Sequence, residues 1–401
     1  MNQYCRHCDS FLNNMILDLG HQPPSNAYLN CNSVNDPEIT YALKVFVCEK
    51  CWLVQIPELV KPKELFKPEY AYFSSVSSSW LSHCEEYSTK IIKKLNLNKS
   101  SQVIELASND GYLLQFFQNA SIPCIGIEPT HETAQESKKK GIHTIEAFFS
   151  HKFSQELPKA DLVIANNVLA HVPDINDFMR GIKNLLKKDG IATIEFPHLL
   201  ELLKFNQFDT IYHEHYSYLS LNFIKMLAHH CNLNLIDVER LKTHGGSLRV
   251  WLKNTQKSVK MSTNCFRILE EEEIFGLKNL NTYYGLQKKS FEIKKDLLNF
   301  LYESIIKNKT VVGYGAAAKG NTLLNYAGIK KDLIKFVADK SIHKQGKFLP
   351  GSHIEIVSPE MMLEYKSLEI IVFPWNLINE IKNSYKDKNL YTCIPKLKKW
   401  I

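Results

Sequence analysis

Residues 103–106, 125–128, 161–165 and 191–196 are four short apolar runs, and the stretches between them carry apolar residues at helical spacing, as in 111–119. Strands alternating with helices build a parallel, doubly wound sheet. Ligands of such sheets sit outside the carboxyl ends of the strands. The loops that follow these runs are therefore where a site has to be.

Acidic residues stand at two of those ends. Glu105 closes the first run, before a loop of Ala107, Asn109, Gly111 and Tyr112. Glu128 closes the second, followed by Pro129. An acid about 20 residues beyond the first strand end is placed to accept hydrogen bonds from ribose hydroxyls. The first loop lacks a full G-x-G-x-x-G and has no Lys or Arg for a pyrophosphate. S-adenosylmethionine, which has no phosphate, fits better than a dinucleotide. Asn166 and Asn167 at the exit of the third run complete the expected donor site, and His171 follows on the same ligand side.

Past the fourth run, residues 211–218 read Ile-Tyr-His-Glu-His-Tyr-Ser-Tyr. Phenols, imidazoles and a carboxylate crowded behind a methyl-donor site point to methyl transfer that needs a proton removed first. On a strand, the i and i+2 imidazoles of His213 and His215 would point the same way, so the tract also admits a metal reading.

The chain begins with a different chemistry. Cys5 and Cys8, then Cys48 and Cys51, form two C-x2-C knuckles. Each presents two thiolates from one tight turn, and two such turns complete a closed tetrahedral zinc site of the structural kind. The other six cysteines stand apart and read as small buried hydrophobes.

With 401 residues the chain is too long for one ordinary core. Its 44% hydrophobic and 23% charged residues fit a globular protein, and no apolar run approaches a membrane span. The net charge of +7 is spread over scattered lysines with no basic stripe, which argues against nucleic acid. The first residues lack the basic and apolar regions of a signal peptide, so a cytoplasmic protein is expected. Oligomeric state is not readable from the residues, and a monomer is the default expectation.

A second α/β pattern begins at Lys309. Residues 310–321 read as strand, glycine-rich turn and helix, with Gly313, Gly315, Lys319 and Asn321 in or beside the turn. Such a turn aims backbone N–H groups at an anion. Residues 334–339 and 370–373 read as further strands, and 266–307 as a helical connection. Between the two α/β regions, His244, Gly245 and Gly246 form either a ligand approach or a plain turn. The expected division is a zinc-binding domain over 1–75, a Rossmann-like methyltransferase domain over 76–265, and a helical linker with a C-terminal Rossmann-like domain over 266–401.

Taken together, the knuckles and the stretches ELASNDGYLL (105–114), NNVLAHVPD (166–174), EFPHLL (195–200), FDTIYHEHYSYLS (208–220), HGGSLR (244–249), GYGAAAKGNTLLN (313–325) and HKQGKFLPGSHIEI (343–356) resemble the sugar C-methyltransferases that act on nucleotide-linked keto-sugars. They follow the family's order over nearly the whole chain. Ala317 and Glu355 stand where the family pattern has proline. The resemblance implies S-adenosylmethionine as donor, a thymidine-diphosphate (dTDP) 4-keto-6-deoxy sugar as acceptor, and methylation at C-3, with C-5 as the second choice. It assigns Tyr212, Glu214, His215 and His171 to the active site. It also implies a tyrosine ahead of the donor domain; Tyr70 and Tyr72 both qualify, with Tyr72 placed in catalysis and Tyr70 on the substrate. His215 is then the expected base, Glu214 or a phenol its orienting partner, and Tyr212 or His171 the donor to the ketone oxygen. His244, Gly245, Gly313, Gly315, Lys319 and Asn321 are expected on the nucleotide-sugar.

Overall fold

The computed structural model describes residues 3–66, 73–255, 257, 259–365 and 367–400. Tyr70 and Tyr72 lie outside the described residues.

The central sheet has seven strands in the order Asn234–Leu241, Ser247–Lys253, Leu186–Pro197, Ala160–Asn166, Val103–Leu106, Cys124–Ile127 and Thr144–Ile145. The last five run parallel, and the hairpin at the other edge pairs antiparallel. Every residue of Val103–Leu106 is buried, as a strand covered on both faces requires. The chain moves from Val103–Leu106 to one side and later to the other, leaving a crevice at the carboxyl ends of Val103–Leu106 and Ala160–Asn166.

A helix expected over 111–119 spans Leu114–Asn119 instead. Asn109 and Gly111 take left-handed conformations, with φ of 48° and 75°, so the right-handed turn starts only after them. Helix Ser78–Leu95 enters through Ser77, whose hydroxyl accepts from Trp80 N, a cap worth about 1 kcal/mol.

The C-terminal sheet repeats the plan. Its order is Ile356–Val357, Val337–Ala338, Thr310–Tyr314, Leu368–Val372, Asn389–Thr392 and Lys398–Lys399, all parallel except the last. Its crevice lies after Tyr314 and Val372. The connection between the sheets is helical, over Thr263–Phe275 and Gly285–Ile306.

The N-terminal sheet is antiparallel: Asn14–Gln22, Tyr41–Val47, Val54–Gln55 and, fourth, Ser217–Tyr218. That last strand is the end of the Tyr-His-Glu-His tract. Val54 pairs with Tyr218 and Gln55 with Ser217. The tract is thus built into a sheet whose other strands come from the first 55 residues. No helix among the described residues is long and apolar enough to cross a membrane.

Candidate active site

The carboxyl ends of the central and C-terminal sheets open onto one cavity of about 1080 Å³, whose third wall is N-terminal. Ala107, Asn109, Tyr112, Glu128, Pro129, Asn166, Asn167 and His171 line its central wall, and Gly315 and Lys319 its C-terminal wall. Tyr212, His215 and His244 also reach it.

Glu128 is a shaped acceptor. Its Oε2 takes the N–H of Asn109 at 2.8 Å and its Oε1 that of Thr130 at 2.9 Å. Burial pushes its carboxyl up, and these donors oppose the shift. The Thr130 hydroxyl also donates to Oε1; of about four acceptor positions on a carboxylate, one remains for a ribose hydroxyl. Asn166 Oδ1 and Asn167 Oδ1 are buried at the wall without a partner among the described residues, and they suit a donor's ammonium group. Left-handed Ala107 and Asn109, with φ of 56° and 48°, hold the loop back from this space. The residues present fit S-adenosylmethionine.

Glu105 departs from expectation. It is fully buried, does not line the cavity, and lies by the Tyr112 hydroxyl, with burial raising its pKa well above the usual range. Its strand places the side chain under the loop rather than above it. Gly111 also stays off the cavity; a Cβ there would come within 2.4 Å of Ile142 Cδ1.

The acid/base tract leaves helix Leu199–Lys204 through a short 3-10 turn, Phe208–Thr210, and then turns at His213 and Glu214. His215 Nδ1 faces the Thr210 carbonyl at 2.8 Å. A carbonyl only accepts, so Nδ1 carries the hydrogen and Nε2 the lone pair. Tyr212 Oη, 2.8 Å from Nε2, donates to it. The His171 ring stands edge-on to His215 with centroids 4.6 Å apart. Burial, and then the neighbouring His171, hold His215 well below the ordinary histidine pKa. Burial brings His171 down to about 4. Both rings are neutral at neutral pH.

Glu214 does not orient His215. The turn sends it out of the cavity wall to Asn26, whose backbone N and Nδ2 lie 3.3 and 3.1 Å from Oε1. The same turn separates His213, which packs against Tyr41, from His215. Because the segment is a turn and not a strand, the imidazoles do not converge. Among the described residues, only the cysteine tetrad groups three or more metal-ligating side chains.

The C-terminal wall also departs in part. Lys319 reaches the cavity, donates to Asn376 Oδ1 at 2.8 Å and lies 4.5 Å from the Trp375 ring. Asn321 is buried off the cavity. Gly313 and Gly245 stay off it too and serve packing: a Cβ would come within 2.5 Å of Phe373 at the first and 2.3 Å of Trp375 at the second. Trp375 itself donates from Nε1 to Asp209 Oδ2 at 2.7 Å, tying the C-terminal region to the tract. His244 lines the cavity, 3.3 Å from Asn167 Nδ2. Sequence reasoning had not singled out Asn26, Asp209 or Trp375. Asp209 stands inside the quoted tract, and Gly245 is the trace of Trp375's approach, whereas Gly246 makes room for Glu201.

The four cysteine Sγ atoms lie within 4.8 Å of one another, with Cys5 to Cys51 at 3.4 Å and Cys8 to Cys48 at 3.5 Å. Tetrahedral zinc with bonds of about 2.3 Å sets sulfurs roughly 3.8 Å apart. The two knuckles share one backbone plan: Asp9 N donates to Cys5 O and Trp52 N to Cys48 O, and Asp9 and Trp52 both have positive φ. The tetrad fits zinc and leaves no open ligand position.

Family profiles match the chain in three consecutive blocks: a zinc-binding domain over 5–66, a methyltransferase domain over 80–238, and a C-methyltransferase C-terminal domain over 242–390. The chain is 32% identical over 389 residues to the C-methyltransferase NovU of Streptomyces niveus, across 96% of this chain and 92% of that one. The chain belongs to this S-adenosylmethionine-dependent C-methyltransferase family. Solved structures resembling it include a SAM-dependent methyltransferase from Archaeoglobus fulgidus, with TM-score 0.34 and 12% identity over 42% of this chain and 94% of that one. Another is magnesium protoporphyrin IX methyltransferase from Synechocystis PCC 6803 with bound SAM, with TM-score 0.34 and 13% identity over 43% and 78%. As a member of the C-methyltransferase family, the chain is an enzyme with a zinc-binding N-terminal region and a Rossmann-like methyltransferase core.

Proposed function

We propose that this enzyme methylates a ring carbon, C-3, beside the ketone of a nucleotide-linked 4-keto-6-deoxy sugar, with dTDP as the nucleotide. The observation that carries this reading is the hydrogen-bonded chain Tyr212–His215–Thr210, set in a cavity shared by two sheets. Methylating a hydroxyl needs little beyond a base. Methylating carbon needs a proton removed from a weak acid and the resulting charge held.

S-adenosylmethionine, when bound, supplies a methyl group activated by its sulfonium. Glu128, Asn166 and Asn167 would hold the donor at the central wall. The proton beside the ketone passes to Tyr212 Oη as the phenol proton passes to His215 Nε2. His215 is thus the base acting through Tyr212, and its Nδ1–H stays with Thr210. The electron pair left behind spreads onto the ketone oxygen, which neutral His171 stabilises by donation. With the donor bound, that pair would form the new carbon–carbon bond as the methyl–sulfur bond breaks and its electrons return to sulfur, so that the sulfonium leaves as a neutral thioether. The nucleotide diphosphate lies toward Gly315 and Lys319.

The division into domains at 75/76 and 265/266 belongs to the same reading, as do a cytoplasmic location and a monomeric state. The test is incubation with labelled S-adenosylmethionine and a panel of nucleotide-linked keto-sugars, followed by NMR of the product. A methyl on C-3 is expected. A methyl on C-5 or on oxygen, or no transfer to any dTDP-keto-sugar, counts against the proposal.

A further inference from the structure

The first cysteine knuckle reaches the loop that carries His171. Arg6, between ligands Cys5 and Cys8, donates from Nη1 to the Pro173 carbonyl at 2.9 Å and from Nη2 to the Ile56 carbonyl at 2.5 Å. His7 Nδ1 donates to Asn176 Oδ1 at 2.7 Å, and Asn176 Nδ2 donates back to the His7 carbonyl at 2.9 Å. Pro173 and Asn176 lie just beyond His171 in the chain.

The second knuckle grips the other catalytic segment. The strand after Cys51, Val54–Gln55, pairs with Ser217–Tyr218, and Ile56 N donates to the Tyr216 carbonyl at 3.1 Å. Gln55 joins the two halves: its Oε1 accepts Arg6 N at 3.0 Å and its Nε2 lies 3.2 Å from Cys5 Sγ. The sulfur tetrad therefore sits where two grips meet, one on the His171 loop and one on the segment of His215.

We propose that the cysteine module is a clamp that sets His171 against His215, with Arg6 as its positioning residue. The inference rests on the reading of that pair as the proton-handling groups. A planar guanidinium can bridge two carbonyls on separate elements, which an ammonium does less well. Without it, the His171 loop drifts while the donor wall stays in place. Small misplacements of reacting groups cost rate far more than binding.

The test uses zinc-loaded full-length Arg6→Gln, with zinc content and donor affinity measured first and expected unchanged. Hydrogen exchange should quicken in peptides covering 168–176 and stay unchanged in those covering 103–112. Turnover on the proposed acceptor should fall about tenfold to a hundredfold, with KM within about twofold. In a His171→Ala background the same substitution should cost nothing more. Equal loss in both backgrounds, or unchanged exchange over 168–176, overturns the proposal. If Arg6→Gln does not retain zinc, Asn176→Ala removes the knuckle's other hold on the same loop, the His7–Asn176 pair, and takes the same measurements. Wild-type turnover in His171→Ala itself would reject that residue's role in the proposed reaction, and the exchange result would then decide the clamp alone.

Discussion

Tyr212 Oη lies 2.8 Å from His215 Nε2, and the remaining ring nitrogen of that histidine is held by the Thr210 carbonyl. The basic nitrogen thus points at a phenol. Tyr212→Phe and His215→Asn should each lower turnover by about 10²–10⁴-fold, the worth of general base catalysis. The double variant should be little worse than the poorer single, because the two act as a unit. Calorimetry should find donor affinity unchanged in all three. Multiplicative losses would mean that the residues act separately.

The pH dependence of turnover follows from the same burial. An ordinary histidine base loses activity as pH falls through about 6.5. His215 is held well below that value, so its lone pair is retained there. Turnover should stay flat through pH 6.5 and decline only further into acid. An acid limb centred near pH 6.5 in a rate profile would contradict a buried relay.

Glu128→Ala should weaken S-adenosylmethionine binding by about 1–3 kcal/mol, the cost of losing a charged acceptor. Glu128→Gln keeps the shape and one acceptor oxygen, and should lie between. Titration calorimetry reads both. Unchanged affinity in the alanine variant would remove Glu128 from the donor's ribose.

Lys319 should answer to the acceptor instead. Lys319→Ala should weaken binding of free thymidine diphosphate by about 1–3 kcal/mol, while His215→Asn should leave it intact. A nucleotide found bound wholly at the central wall would defeat this arrangement.

His213 contributes to stability. Burial lowers its pKa to about 4, against about 6.5 in an unfolded chain. Between those values the unfolded state binds more protons, so stability rises with pH. His213 therefore stabilises fully above about pH 6.5, and that contribution is lost as pH falls toward 4. Wild type should exceed His213→Gln most at neutral pH, and the gap should shrink by up to about 3 kcal/mol on acidification. Denaturant titrations at several pH values test this, and a constant gap would rule it out.

Local features of this molecule were legible in the sequence. The cysteine tetrad follows from two tight spacings, and Glu128 from its place at a strand end before a turn. Glu105 lies one step further back, inside its strand and opposite Gly126, and its side chain is buried, because the sequence does not mark the residue at which a strand stops. Glu214 is adjacent to His215 in sequence, but one turn sends it to Asn26, 188 positions away. Arg6, Asn176 and Trp375 act through contacts between distant segments, and no periodicity or spacing records those. Gly313 and Gly245 were visible as glycines, whereas the rings of Phe373 and Trp375 that require them were not.

The strand Ser217–Tyr218 has a consequence for synthesis. The module it completes leaves the ribosome early, with Gln55 in place and its sheet edge open until Ser217 arrives. At 5–20 residues per second, that wait over about 160 residues lasts roughly ten to thirty seconds. Throughout it, the nascent chain exposes a strand edge available to other chains, and metal capture by the tetrad can stiffen that edge but not cover it. Nascent molecules stalled inside the central region should therefore be the aggregation-prone species, and the edge is closed by the same segment that carries His215.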